Sequence, residues 1–192
     1  MAIRSFLAFE LPPDIKKEVA KIADEVKKSG LAAGWVKPGN IHLTVIFMGD
    51  VEEKNISAII SSIDNVVNKY EPFDIALGGI GIFPGIKKPR VLWLGLNGEI
   101  ERLGSLRDEL QKTLEAYGIK QEKRTFRPHL TLGRFRKPLR DRAPLKKVIE
   151  AYNDISGPPG KLNDLILFKS ELKPGGSVYT RMHSWHIDLS PS

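Results

Sequence analysis

Histidine and threonine stand two residues apart twice in this chain, in His42-Leu43-Thr44 and in His129-Leu130-Thr131. Side chains at i and i+2 of a β-strand point to one face. On a strand, each tripeptide sets an imidazole beside a hydroxyl, while Leu43 with Val45, and Leu130 with Leu132, turn into the core. Two such pairs brought together suit displacement at phosphorus. The attacking and departing oxygens lie on opposite sides of the phosphorus atom. One neutral imidazole can take the proton of the nucleophile, and one protonated imidazole can give a proton to the leaving oxygen. With an ordinary pKa near ~6.5, histidine can hold either state close to neutral pH. The threonine hydroxyls would hold the non-bridging oxygens, where charge develops.

A metal centre is the rival chemistry. It usually needs three or more His, Cys, Asp or Glu ligands. Neither motif has a carboxylate two residues on, the chain has no cysteine, and His183 and His186 fall on opposite faces of a strand. We expect no metal and no other cofactor.

The elements that must carry the motifs can be read from periodicity. A helix opens at Pro12-Pro13-Asp14 with Ile15, Val19, Ile22 and Val26 on one stripe. A second starts near Glu52 with Ile56, Ile59, Ile60, Ile63 and Val67. A third starts near Glu99, carries Leu103, Leu106, Leu110 and Leu114, and stops at Gly118. A fourth spans Asp141 to Tyr152, before the breaker Ser156-Gly157-Pro158-Pro159-Gly160. Strands are expected over 4–11, 42–48, 73–83, 91–96, 129–135, 162–172 and 178–189, with hairpin connections at Lys87-Lys88-Pro89 and Lys173-Pro174-Gly175-Gly176.

After the first strand, the order helix, His-strand, helix, strand, strand occurs twice. This predicts an α+β fold of two lobes related by a pseudo-twofold axis. Each lobe is an antiparallel β-sheet with helices on its outer face, and the active-site cleft lies between them. The expected organisation is one bilobal domain over 1–192, with an internal repeat of about 12–96 and 99–189.

A chain of 192 residues, 41% hydrophobic and 28% charged, has the composition of one folded domain and not of a disordered segment. No apolar run approaches the length of a membrane span, and no leader pattern opens the chain, so we expect a cytoplasmic monomer with no membrane partner. The net charge is +7. Eleven basic residues between Lys120 and Lys147 face only Glu122 and Asp141, which leaves that segment at +9. A basic segment surrounding a histidine motif suits a phosphate-bearing partner.

With these residues in place, the chain resembles the 2H phosphoesterases. Within them it is similar to the bacterial and archaeal RNA 2′,3′-cyclic phosphodiesterases, also called 2′-5′ RNA ligases. The resemblance rests on 4–12 (RSFLAFELP), 40–45 (NIHLTV), 47–49 (FMG), 127–134 (RPHLTLGR), 170–172 (SEL) and Tyr179. It implies metal-free hydrolysis of an RNA terminal 2′,3′-cyclic phosphate to a 2′-phosphomonoester, with reversible 2′-5′ joining of tRNA halves as a secondary activity. It implies that His42 is the proton donor, that His129 is the proton acceptor and that Arg134 contacts phosphate. Strict alternation would turn Arg134 away from His129, so that role requires a bulge near Gly133. Phe47 holds the matching offset in the first half. Leu7 stands where related enzymes carry an aromatic residue, which leaves Phe6, Phe9 and Tyr179 as candidates for stacking on a base. Rival readings are a related enzyme acting on a small cyclic nucleotide or an ADP-ribose cyclic phosphate, and a non-catalytic RNA- or nucleotide-binding module. The chain has no identifiable nucleotidyl-transfer lysine motif, so any joining would be the reversal of hydrolysis.

Overall fold

The chain order is β1 (Ala2–Phe9), α1 (Pro13–Lys27), β2 (Gly34–Trp35), β3 (Leu43–Glu52), α2 (Ile56–Val67), β4 (Phe73–Phe83), β5 (Val91–Gly98), α3 (Ile100–Leu114), β6 (His129–Arg134), α4 (Ala143–Ala151), β7 (Gly160–Leu162), β8 (Asp164–Lys173) and β9 (Gly176–His186). These elements come from a computed structural model that describes residues 1–155 and 157–188. Ser156 of the expected breaker and Leu189, the expected end of the last strand, lie outside them.

Local chemistry accounts for the helix ends. α1 begins on Pro13, whose fixed φ suits the first turn, with Asp14 near the positive end of the helix dipole. α3 runs into a short 3₁₀ turn and stops at Gly118, which takes the left-handed φ of 77°.

The strands follow the order β7-β4-β5-β6-β3-β1-β8-β9, with β2 added on β6, and neighbouring strands pair antiparallel throughout the described residues. β3 and β6, the two histidine strands, are neighbours at the centre of this path. Among the described residues a single rung, Leu43 opposite Leu130, joins them. On one side of the rung lies the lobe β3-β1-β8-β9, and on the other the lobe β6-β5-β4-β7. α2 and α3 pack together behind the first lobe, where the Ser62 and Tyr117 hydroxyls meet at 2.6 Å. α4 lies on β4, and the Tyr152 hydroxyl after it donates to Glu25 of α1 at 2.7 Å.

This topology regroups the repeat. The matching units are β1-α1-β3-α2-β4 and β5-α3-β6-α4-β8, so each begins one strand earlier than the expected 12–96 and 99–189. Each lobe takes strands from both units, because β4 pairs with β5 and β8 pairs with β1. Alternation within a strand cannot reveal this exchange, because it says nothing of neighbours. β3 also runs four residues past the expected Met48, because β1 starts at Ala2 and continues the ladder to Ala2 opposite Glu52. α2 is thereby delayed to Ile56. β2 and β7, at two and three residues, are too short to show a pattern.

Leu43 and Leu130 are fully buried in one contiguous apolar core. Leu43→Ala or Leu130→Ala should cost about 2–5 kcal/mol. Denaturant unfolding would measure this, and an exposed change such as Leu172→Ala should leave the midpoint almost unmoved.

Candidate active site

The central rung sets the geometry. Extending the antiparallel register of Leu43 and Leu130 by one residue each way puts His42 across from Thr131 and Thr44 across from His129. Residues opposite one another on such a pair stand roughly 4.5–5.5 Å apart at Cα. The four polar side chains therefore form a square on the cleft face, with the histidines at diagonal corners. The two leucines point to the other face.

Each imidazole is tied to the backbone two residues earlier. Nδ1–H of His129 donates to the carbonyl of Arg127, two residues earlier, at 2.7 Å. His42 makes a backbone hydrogen bond to Asn40, also two residues earlier. A carbonyl only accepts, so in His129 the proton sits on Nδ1 and Nε2 is left for the cleft. The segments that carry these carbonyls are tied to the fold. The Asn40 side-chain amide donates to the Ser177 carbonyl of β9 at 3.0 Å. Upstream of Arg127, the buried Arg107 of α3 donates to the Glu122 carbonyl at 2.8 Å, and Gln111 accepts from the Glu122 N–H at 2.7 Å. These contacts anchor the loop that leads to Arg127.

The surroundings of the two histidines differ. His42 stacks on Phe6, with ring centroids 4.9 Å apart, and on Phe168, at 5.9 Å. Tyr179 meets it edge-on at 5.3 Å. His129 meets Phe83 edge-on at 5.0 Å and Trp93 at 6.2 Å. Ladder position exposes the asymmetry: Ala8 is opposite Thr44, whereas Trp93 is opposite Thr131. The indole fits because Gly81 lies beneath it, where a Cβ would collide with the ring.

Burial pushes the His42 pKa down to about 4, against the opposing pull of its Asn40 bond. Burial also lowers that of His129, the Arg127 bond works the other way, and the charge of Arg134 lowers it further. Arg134 reaches that position through a bulge. Thr131 is opposite Trp93 and Gly133 opposite Leu92, so Leu132 is the extra residue and the alternation resets. Beside His42, burial works to raise the Glu10 carboxyl. Hydrogen bonds from Lys16, at 2.6 Å, and from Arg181 outweigh it and hold Glu10 below the usual carboxylate range.

Thr44, Thr131 and Tyr179 stand half-buried around the histidines, and Arg134 is exposed. Phe9 does not belong to the site. It is fully buried and packs edge-on against Phe73 at 5.7 Å, so it is no base platform. The reason is alternation along β1: Phe6 shares the cleft face with Ala8, and Leu7 and Phe9 face the core. The motifs did not point to Phe168, Phe83 or Trp93, which reach the histidines only through strand pairing. Among the described residues no three His, Cys, Asp or Glu side chains gather as a metal site would require.

The family model of the 2′-5′ RNA ligase superfamily matches residues 11–163. An RNA 2′,3′-cyclic phosphodiesterase of Methanothermobacter thermautotrophicus is 33% identical over 187 residues, which is 97% of this chain and 100% of that protein. The fold is similar to that of TT0787 of Thermus thermophilus, with a TM-score of 0.81 and 24% identity over 98% of this chain and 100% of that one. It is also similar to E. coli LigT crystallised with 3′-AMP, with a TM-score of 0.72 and 23% identity over 98% and 100% of the two chains.

A histidine with a lowered pKa is neutral in the folded protein where it would be charged in the unfolded chain. Its contribution to stability is present above the unfolded value near ~6.5 and is lost as pH falls toward the folded value. The His42 ring resonances, followed by NMR, should therefore hold their neutral positions until pH approaches about 4. His42→Phe should remove part of the stability loss below neutral pH.

Proposed function

Because the chain belongs to the 2′-5′ RNA ligase superfamily, we propose that it is an RNA 2′,3′-cyclic phosphodiesterase that works by proton transfer between two histidines. The observation that carries this reading is the square of His42, Thr131, His129 and Thr44 around one rung, with each imidazole tied to the backbone two residues earlier.

The phosphorus of the terminal cyclic phosphate sits over the centre of that square. His129, neutral, takes a proton on Nε2 from the attacking water. The new bond forms from that oxygen to phosphorus, and the bond to the 3′ oxygen breaks. His42, protonated, gives its Nε2 proton to the departing 3′ oxygen. The product is a 2′-phosphomonoester with a free 3′ hydroxyl, and proton exchange with solvent resets both rings. Thr44 and Thr131 donate to the non-bridging oxygens.

The assignment of roles is the one that the resemblance to the 2H phosphoesterases implies. Burial, with the positive charge of Arg134 added to it, favours the neutral state of His129, as a base requires. His42 lacks such a neighbour among the causes that shift it and lies against the face of Phe6, a surface that attracts a cation. The phosphate anion supplies the charge that stabilises its imidazolium. With an RNA 5′ hydroxyl in place of water the same step would join ends, including those of tRNA halves: His129 takes the hydroxyl proton, the 5′ oxygen bonds to phosphorus, and the 3′ oxygen leaves with the proton of His42. Both histidines come from one chain, so a monomer is sufficient.

The rim of the cleft favours a nucleic acid. The Phe135 N–H donates to the Arg90 carbonyl at 2.9 Å, so the β4–β5 hairpin, with Lys87, Lys88 and Arg90, lies beside the end of β6, with Arg134 and Arg136. Residues 84–90 and 134–140 contain no Asp or Glu. Phosphates along a bound strand would replace their counterions here.

An oligonucleotide ending in a 2′,3′-cyclic phosphate, incubated with EDTA present, should give a 2′-phosphate end. His42→Ala and His129→Ala should each lower the rate by about 10² to 10⁴. Turnover that needs added metal, or a 3′-phosphate product, would refute the reading.

A further inference from the structure

Phe47 is one of few large apolar side chains left open to solvent, at 53% exposure, and the guanidinium of Arg4 lies 4.7 Å over its ring. Three observations place this pair in the cleft and not on an indifferent surface. Phe47 is the cross-strand partner of Phe6, and Phe6 stacks on His42, so Phe47 shares that face. Arg4 precedes Phe6 by two residues on β1 and has the same orientation. The third observation concerns the bulges. β3 carries an extra residue, Val45, where Ala8 pairs with Thr44 and Leu7 with Ile46, just as β6 carries Leu132. Phe47 therefore stands at the same step beyond its motif as Arg134 does beyond the other. The second half supplies a guanidinium from its own strand. The first supplies one from the neighbouring strand, set over an aromatic ring.

We propose that Arg4 and Phe47 form the binding site for the nucleotide that precedes the cyclic-phosphate end, with Arg4 contacting the phosphodiester that joins it to the terminal nucleotide. This rests on the reading that the cleft takes an RNA end. A guanidinium stacked on a ring keeps its fork of N–H donors free for phosphate oxygens. Arg4 stands two residues from Phe6, roughly 7 Å along the strand, about one nucleotide step from the stacked His42. Asp50 lies directly across from Arg4 and makes no ion pair with it among the described residues. The Phe47 ring edge, together with the guanidinium plane, offers a platform for the penultimate base.

The test compares kcat/KM on adenosine 2′,3′-cyclic phosphate, which lacks the joining phosphodiester, with kcat/KM on the adenylyl dinucleotide carrying the same end. Arg4→Gln should lower the dinucleotide value by roughly tenfold to a hundredfold, the effect of losing a charge-assisted hydrogen bond, and leave the mononucleotide value within about twofold. Arg4→Lys should fall between wild type and Arg4→Gln. Phe47→Leu should act in the same direction as Arg4→Gln but more weakly. A dinucleotide with an uncharged methylphosphonate linkage should reduce wild type to the level of Arg4→Gln and leave Arg4→Gln unchanged. Equal losses on both substrates, no loss on either, or equal sensitivity of both proteins to the neutral linkage would overturn the proposal and leave the assignment of the reaction standing. Failure of wild type to hydrolyse either substrate would overturn both.

Discussion

The site depends on the fully buried rung between Leu43 and Leu130. Among the described residues it is the one ladder position shared by β3 and β6, and so the place where the two lobes' strands become hydrogen-bonded neighbours. Antiparallel pairing at that point fixes which residue of each motif faces which. A slip of one residue would turn the imidazoles toward the core and the leucines toward solvent. The apolar core below the rung is therefore not merely stabilising; it sets the register of the chemistry above it. The exchanged strands reinforce this, since each unit completes the sheet of the other lobe.

Around that symmetric frame the side chains diverge. The His42 lobe pairs a small Ala8 with Thr44 and surrounds its histidine with Phe6, Phe168 and Tyr179. The His129 lobe fills the position opposite Thr131 with Trp93, laid on Gly81, and sets Arg134 at the end of its bulge. The backbone ties each imidazole to the residue two positions upstream. What stands beside them differs: aromatic faces around one imidazole and a guanidinium beside the other. One repeated frame can thereby hold an acid and a base.

Much of this was legible in the residues. The two motifs, the helix stripes and most strands follow from periodicity, and the need for a bulge near Gly133 follows from asking how Arg134 could face His129. The parts that were not legible depend on pairing between distant segments. Phe9 carries the same side-chain type as Phe6, and only the placement of His42 beside Phe6 identifies the cleft face. Phe168 and Trp93 reach the histidines across strand neighbours that no local pattern specifies. Arg107 lies on the apolar stripe of α3, where a charged residue usually signals an exposed turn; it is buried because loop carbonyls need its donors. The boundary of the repeat was displaced because a strand and its neighbour come from different units.

The central claim is that His42 and His129 hold opposite proton roles at one phosphorus. It can be tested with a cyclic phosphate in which sulfur replaces the bridging 3′ oxygen, a leaving group that departs without a proton. Single-turnover rates on this substrate, compared with the oxygen parent, separate the acid from the base. His42→Ala should recover most of its lost rate on the sulfur substrate, and His129→Ala should stay slow. Recovery by His129→Ala instead, or by neither variant, would contradict the claim.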